Sequence, residues 1–222
     1  MVNKITFQKL SPFNNLYEAT NGNLRSVALK LSSKSLCLVS PLANTSEEAW
    51  EELESVAEVK FIVAPNHYHN KGAKDATLRF PNAQFCAPAN AISRLEKVTG
   101  LSINALNDLE MQLPKNITIV EPVGLKTGEV WFCIEEGRNK ALIVVDAFCG
   151  PKILKNKKEN GTPQLLKTFP SYGVEGREKY QEWANDFVSL YSPNVLIPCH
   201  GDICRGDDLE QELLKCIKTI TR

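Results

Sequence analysis

Apolar and polar residues alternate in short runs through the first part of the chain, and the runs are separated by turn signals. This pattern predicts short strands, and their close spacing favours antiparallel pairing. At Ser46 the period changes to that of a helix, with a plausible N-cap and acidic residues in the first turn. The predicted strands before that helix are Lys4 to Leu10, Leu16 to Thr20, Ser26 to Leu31 and Ser35 to Ser40.

Beyond Ser46, apolar strands alternate with helical stretches. The predicted strands are Val59 to Ala64, Ala83 to Ala87, Ile117 to Val120, Glu129 to Glu135, Ala141 to Val145 and Asn194 to Pro198. The predicted helices are the segment from Ser46, a polar stretch ending at Arg79, Ala89 to Val98, Val174 to Leu190 and Asp207 to Ile220. Cys149 to Tyr172 is rich in Lys, Gly, Pro and Asn, which predicts a long loop near the site.

The chain shows no Pro/Gly/Ser-rich linker and no short repeat. Residues 1–222 are therefore expected to form one domain of mixed α/β (α+β) class. Strands come first and helices alternate with strands later, an order that fits sheets packed on each other with helices outside.

Composition excludes some classes of function. Lys+Arg and Asp+Glu both total 26, so the formal net charge is zero, which argues against a nucleic-acid-binding surface. No apolar run is long enough to span a bilayer, and the N-terminus lacks the plan of a signal peptide. The seven cysteines are dispersed and several lie in apolar strands, which predicts reduced thiols. We therefore expect a cytoplasmic protein without a membrane partner.

Every histidine of the chain follows a predicted strand. His67 and His69 follow one strand and, in an extended segment, would point to the same side. His200 follows a second strand, and Asp146 ends a third. Because side chains at several strand ends can converge at one edge of a sheet, these four residues are a candidate metal site.

Each candidate also has an ordinary structural explanation. A lone His-x-His at the start of a loop is common, Asp146 is suited to cap the turn after it, and His200 is suited to bond backbone beside Gly201. Cys149 and Cys199 flank the proposed site in sequence. A thiolate ligand or a redox role for them competes with the usual role of a buried structural cysteine.

The succession of these segments resembles the metallo-β-lactamase superfamily. Asn66-His67-Tyr68-His69 is similar to the opening of its His-x-His-x-Asp-His motif. Val144-Val145-Asp146 is similar to the segment with the metal-bridging aspartate, and Pro198-Cys199-His200-Gly201 to the late histidine before glycine. The resemblance covers nearly the whole chain in order. It implies a four-layer αββα sandwich and a metal-activated water that attacks an ester, thioester or similar bond of a small-molecule substrate.

The chain departs from the family motif at two places. Lys71 and Gly72 stand where the motif has Asp and His, and residues 120–128, where a middle histidine is expected, contain none. The positive charge of Lys71 would also oppose a second cation. The resemblance therefore implies one metal ion instead of two.

A single catalytic zinc needs three protein ligands and an open position for water. The resemblance assigns His67, His69 and Asp146 to this role, with His200 as a fourth ligand or an acid/base group. Asp146 and His200 are the catalytic candidates. Zinc is the expected ion, with iron or manganese as alternatives.

The lost motif residues also favour a second hypothesis from another class of function. In that hypothesis the protein is a non-catalytic member that keeps the fold as a binding or interaction module and holds no metal. The three histidines and Asp146 favour the hydrolase, whereas Lys71 and Gly72 favour the module.

Overall fold

The strands form two β-sheets, one in each of two compact units, Met1–Pro114 and Lys115–Arg222. The computed structural model describes residues 5–153 and 161–221 of the chain. Among these residues, none of the helices combines the length and the apolar character that a membrane crossing requires.

The sheet of the first unit has six strands that lie side by side in chain order. The first four strands pair antiparallel, and the last two pairings, β4 with β5 and β5 with β6, are parallel. The strands are β1 (Gln8–Lys9), β2 (Leu16–Asn21), β3 (Leu24–Lys30), β4 (Ser35–Val39), β5 (Glu58–Val63) and β6 (Gln84–Cys86). The helices are α1 (Glu47–Val56), α2 (Ala73–Arg79), α3 (Ala89–Thr99) and α4 (Asn107–Glu110).

The core of the first unit contains apolar side chains of its helices and strands. Helix α1 begins after Ser46, whose hydroxyl oxygen accepts the backbone N–H of Ala49 at 3.3 Å and so caps the helix. Trp50 of α1 is buried and contacts Phe80 edge to face, with ring centroids 5.4 Å apart. The helix side of this unit is therefore held by apolar packing.

The sheet of the second unit has five strands in the order β11-β10-β9-β8-β7. The pairing of β9 with β10 is parallel and the others are antiparallel. The strands are β7 (Ile117–Val120), β8 (Trp131–Glu136), β9 (Asn139–Val144), β10 (Val195–Pro198) and β11 (Cys204–Arg205). The helices are α5 (Phe169–Tyr172), α6 (Arg177–Tyr191) and α7 (Leu209–Lys218), followed by a 3-10 turn at Thr219–Thr221.

The predicted elements are found in the predicted order, with differences at a few places. The first strand is confined to Gln8–Lys9, because the chain turns at Ser11 and Pro12; Lys4 lies outside the described residues. The predicted loop from Cys149 to Tyr172 contains α5, and part of it lies outside the described residues. The pattern did not predict α4 or β11, which are too short to show a period.

Candidate metal centre

His69 is held by a serine on the neighbouring strand end. Strands β4 and β5 are parallel, so their carboxyl ends meet at one edge of the sheet. There the backbone N–H of Ser40 donates to the carbonyl oxygen of Val63 at 2.9 Å. The Ser40 hydroxyl oxygen lies 2.8 Å from Nδ1 of His69. A hydrogen bond from a neighbouring side chain to Nδ1 fixes the ring, and a histidine held in this way ligates a metal through Nε2.

The loop that carries His69 is bent, because Asn66 folds it. Asn66 is fully buried, and its Oδ1 accepts the backbone N–H groups of Tyr68 at 2.8 Å and His69 at 3.0 Å. In an extended segment, His67 and His69 would point to the same side, but the chain bends here. His67 places its Nε2 3.0 Å from the carbonyl oxygen of Asn90, in the first turn of α3.

Asp146 and His200 follow the parallel strands β9 and β10. Val144 pairs with Pro198 at the end of this ladder, and Asp146 and His200 lie at the same offset beyond that pair. Nε2 of His200 lies 3.0 Å from Oδ1 of Asp146. The aspartate is 2% exposed, whereas the imidazole remains 24% exposed. The two side chains therefore form an ion pair or a hydrogen bond whose histidine side is partly exposed.

Two glycines bring the loops after Asp146 and His200 into contact. Gly201 has φ +86°, and a Cβ added there would lie 2.2 Å from the carbonyl oxygen of Gly150. The backbone N–H of Gly150 donates to the carbonyl oxygen of His200 at 2.9 Å. Only glycine allows this approach, so the relative position of the two functional loops is set by backbone packing.

Glu129 is a residue that the sequence pattern did not single out. Its carboxylate accepts the backbone N–H groups of Val145 at 3.1 Å, Asp146 at 3.1 Å and Ala147 at 3.3 Å. It also accepts Nε1–H of Trp131 at 2.8 Å, and the residue is 2% exposed. Burial, followed by the charge of Asp146, raises the pKa of Glu129, while the N–H donors act in the opposite direction.

The sequence contains one weak signal for this role. Glu129 was predicted to begin a strand, but β8 begins at Trp131, and the acid directly precedes the fully buried residues 130–132. A charged side chain beside so apolar a run needs hydrogen-bond partners inside the protein.

One ligand atom from each of His69, Asp146 and His200 lies within 4.8 Å of the other two. Within residues 5–153 and 161–221, this is the group of His, Cys, Asp or Glu side chains that is suited to hold a metal ion. Two imidazoles and one carboxylate fit a three-ligand zinc site with an open position, and they also fit iron or manganese. His67 is not a member of this group.

The two residues that replace the family motif have clear structural positions. A Cβ added to Gly72 would lie 2.3 Å from the carbonyl oxygen of Pro41 and 2.5 Å from that of Leu42. The backbone therefore leaves no room for a histidine side chain at this position. Lys71, directly before it, is exposed.

The cysteines behave as structural residues. All seven are thiols, and neither Cys149 nor Cys199 belongs to the group formed by His69, Asp146 and His200. Burial raises the pKa of Cys149, which lowers the fraction of reactive thiolate. Cys199 is fully buried.

No protein-family model and no curated protein sequence matches the chain. Solved structures do. The metallo-β-lactamase DIM-1 is 15% identical, with a TM-score of 0.66 and 99% of each chain covered. VMB-1 is 12% identical, with a TM-score of 0.67 and 99% of each chain covered.

The chain has the metallo-β-lactamase fold. The predicted fold class is confirmed by these whole-chain similarities. A flavo di-iron protein from Thermotoga maritima shares the fold at 16% identity and a TM-score of 0.64. The match covers 97% of this chain and 63% of the longer protein. At such low identities the likeness shows the fold alone, so the argument for function depends on the side chains at the site.

Proposed function

We propose that the protein is a metal-dependent hydrolase that holds one metal ion on His69, Asp146 and His200. The ion, when bound, supplies a water of lowered pKa for attack on an ester, thioester or similar bond of a small-molecule substrate. The observation that carries this proposal is the three-ligand group with its ligand atoms within 4.8 Å of one another. The metallo-β-lactamase fold supports it, because metal-dependent hydrolysis is a known chemistry of that fold.

The burial of negative charge favours a cation at this place. Asp146 and Glu129 are each 2% exposed, and the charge of each acts on the other. Two buried carboxylates close together are costly unless positive charge compensates them. His200 supplies such a charge only when it is protonated, whereas a divalent ion on Asp146 supplies it permanently and leaves both histidines neutral, as ligands must be.

Within the proposed site, Ser40 orients His69 through Nδ1. Nε2 of His200 and Oδ1 of Asp146 lie 3.0 Å apart, and an ion bound to both would take the place of the proton between them, since a ligand histidine is neutral. Asp146 and His200 are the catalytic residues in this proposal, because they would hold the ion at the place of reaction. Zinc is the first choice of ion, with iron and manganese as alternatives.

Local packing supports a single ion. Gly72 has no space for a ligand side chain, because a Cβ there meets backbone oxygens. The same observation favours the second candidate, a binding or interaction module without a metal. The hydrolase takes up a metal ion and hydrolyses a substrate, whereas the module does neither.

We also propose that the protein acts in the cytoplasm, without nucleic-acid or membrane partners. The seven thiols support a reducing compartment. The zero net charge supports the absence of a nucleic-acid surface.

The test is reconstitution of untagged protein that has been stripped with a chelator. Zinc, iron(II) or manganese is added separately, and hydrolysis of a panel of ester and thioester substrates is followed. We expect one of these ions to restore hydrolysis. His69→Ala, Asp146→Asn and His200→Ala should each lower the rate by about 100-fold or more.

The matched control for the ligand assignment is His67→Ala. His67 contacts the carbonyl oxygen of Asn90, so this variant should keep its metal and most of its activity. An equal loss in His67→Ala would make His67 a ligand, as the His-x-His pattern suggests. If none of the ions raises hydrolysis above the level of the stripped protein, the result would favour the non-catalytic module.

A further inference from the structure

We propose that Glu129 is a positioning residue, whose buried carboxylate holds the backbone of residues 145–147 and so fixes the carboxylate of Asp146 for the metal. This role rests on the proposed function. It adds a residue that the family motif of the sequence does not contain.

The first step is the direction of three consecutive N–H groups. In an extended strand, successive N–H groups point to opposite sides. The N–H groups of Val145, Asp146 and Ala147 instead converge on one carboxylate, at 3.1, 3.1 and 3.3 Å. The chain therefore leaves β9 in a concave turn that surrounds an anion. The position of Asp146 depends on that turn.

The second step is that this turn requires a carboxylate. With Nε1–H of Trp131 at 2.8 Å, four N–H donors meet the Glu129 side chain. An ionised carboxylate has about four lone-pair sites and no donor. Glutamine has nearly the same shape but only one acceptor oxygen. With that oxygen at Oε1, where three of the four donors converge, its NH₂ group would face the backbone N–H of Asp146.

The third step separates positioning from ligation. The bonds of Glu129 to Asp146 reach its backbone nitrogen, while the Asp146 side chain contacts His200 at 3.0 Å. Glu129 is not a member of the group formed by His69, Asp146 and His200. It would therefore act on the metal only through Asp146, by holding the backbone of that ligand in place.

The experiment compares zinc affinity in wild type, Glu129→Gln and Leu213→Ala, by competition with a chromophoric chelator. Leu213 is fully buried in the core of the same unit, so its truncation lowers stability without removing a bond to residues 145–147. We expect Glu129→Gln to lower zinc affinity by about 10- to 100-fold. Leu213→Ala should leave zinc affinity within about twofold of wild type, since it touches no ligand support.

Amide hydrogen exchange in the metal-free protein supplies a second measurement. The amides of residues 145–147 should be protected in wild type and in Leu213→Ala, and Glu129→Gln should lose protection, most of all at Asp146, whose N–H donates to the second carboxylate oxygen. Glu129→Asp keeps the charge but is shorter by one methylene group, and we expect its zinc affinity to lie between wild type and Glu129→Gln. If Glu129→Gln does not fold, Glu129→Asp takes its place in the comparison with Leu213→Ala.

Several outcomes would overturn the inference. Unchanged zinc affinity in Glu129→Gln, or an equal loss in Leu213→Ala, would show that Glu129 has no specific effect on the metal. These outcomes differ from a failure of the proposed function, in which wild type itself takes up no metal. If wild type takes up no metal, the proposed effect of Glu129 on metal binding fails as well. Retained protection of amides 145–147 in Glu129→Gln would show, in addition, that Glu129 does not hold this part of the backbone.

Discussion

The Ser40 hydroxyl group lies against the imidazole ring of His69. The bond between Ser40 Oγ and His69 Nδ1, 2.8 Å long, lies inside the first unit and involves a serine that is 4% exposed. In metal sites, outer partners of this kind set the tautomer and the angle of the ring. In the proposed metal site, Ser40 would therefore support a ligand without being one.

Ser40→Ala should weaken zinc binding by about tenfold or more, because His69 loses the partner that fixes its ring. The measurement is the zinc dissociation constant from chelator competition. Ser26→Ala is the matched control, since Ser26 is fully buried and donates its hydroxyl to the carbonyl oxygen of Val39 at 3.0 Å. Equal effects in the two variants would mean that Ser40 supports the fold and not the metal.

The proposed ligands could be predicted from the sequence better than the residues that support them. His69, Asp146 and His200 follow apolar strands, a position that the hydrophobic pattern shows directly. Ser40 and Glu129 have no such pattern, because their roles depend on which backbone or side chain lies beside them after folding. The orientation of His67 could not be predicted either, because Asn66 bends the loop that was assumed to be extended.

At the scale of elements, the start of α2 explains why one motif residue is missing. Gly72 is the N-cap of α2 and lies against the backbone of Pro41 and Leu42. The close approach couples the beginning of this helix to the segment after β4. A ligand at position 72 would require this packing to open.

Gly72→Ala should therefore lower the free energy of unfolding by about 1–3 kcal/mol, the usual cost of overpacking. Alanine is also a poorer N-cap than glycine, by up to about 1 kcal/mol, so the loss of the cap and the clash lower stability in the same direction. Chemical denaturation of the metal-free protein measures the difference. Lys71→Ala, at the exposed neighbouring position, should change stability by less than about 0.5 kcal/mol; an equal change in both variants would contradict the packing argument.

The order of long strands and helices was predictable because their periods differ clearly. Helix α1 is an example, with Ser46 as N-cap in the sequence prediction and in the structure. Elements of two to four residues are too short to show a period in the sequence. The four residues of α4 and the two of β11 are set by tertiary contacts and not by a repeating pattern.

For the whole molecule, the fold was predictable from the succession of strand-end residues along the chain. The likeness to DIM-1 and VMB-1 confirms it at 15% and 12% identity. That residues 1–222 act as one domain stays a prediction, as does the cytoplasmic location. The chemistry is a proposal because the fold is shared by proteins of different activity, among them lactamases and a flavo di-iron protein.

The most direct test of a single metal site is the metal content of untagged protein, measured by inductively coupled plasma mass spectrometry together with thermal stability. We expect about one equivalent of zinc, iron or manganese per chain, and a higher melting temperature when that ion is added to stripped protein, because the ion binds the folded state. The absence of all three ions, with no change in melting temperature on addition, would contradict the metal site. Two equivalents per chain would contradict the single-ion proposal.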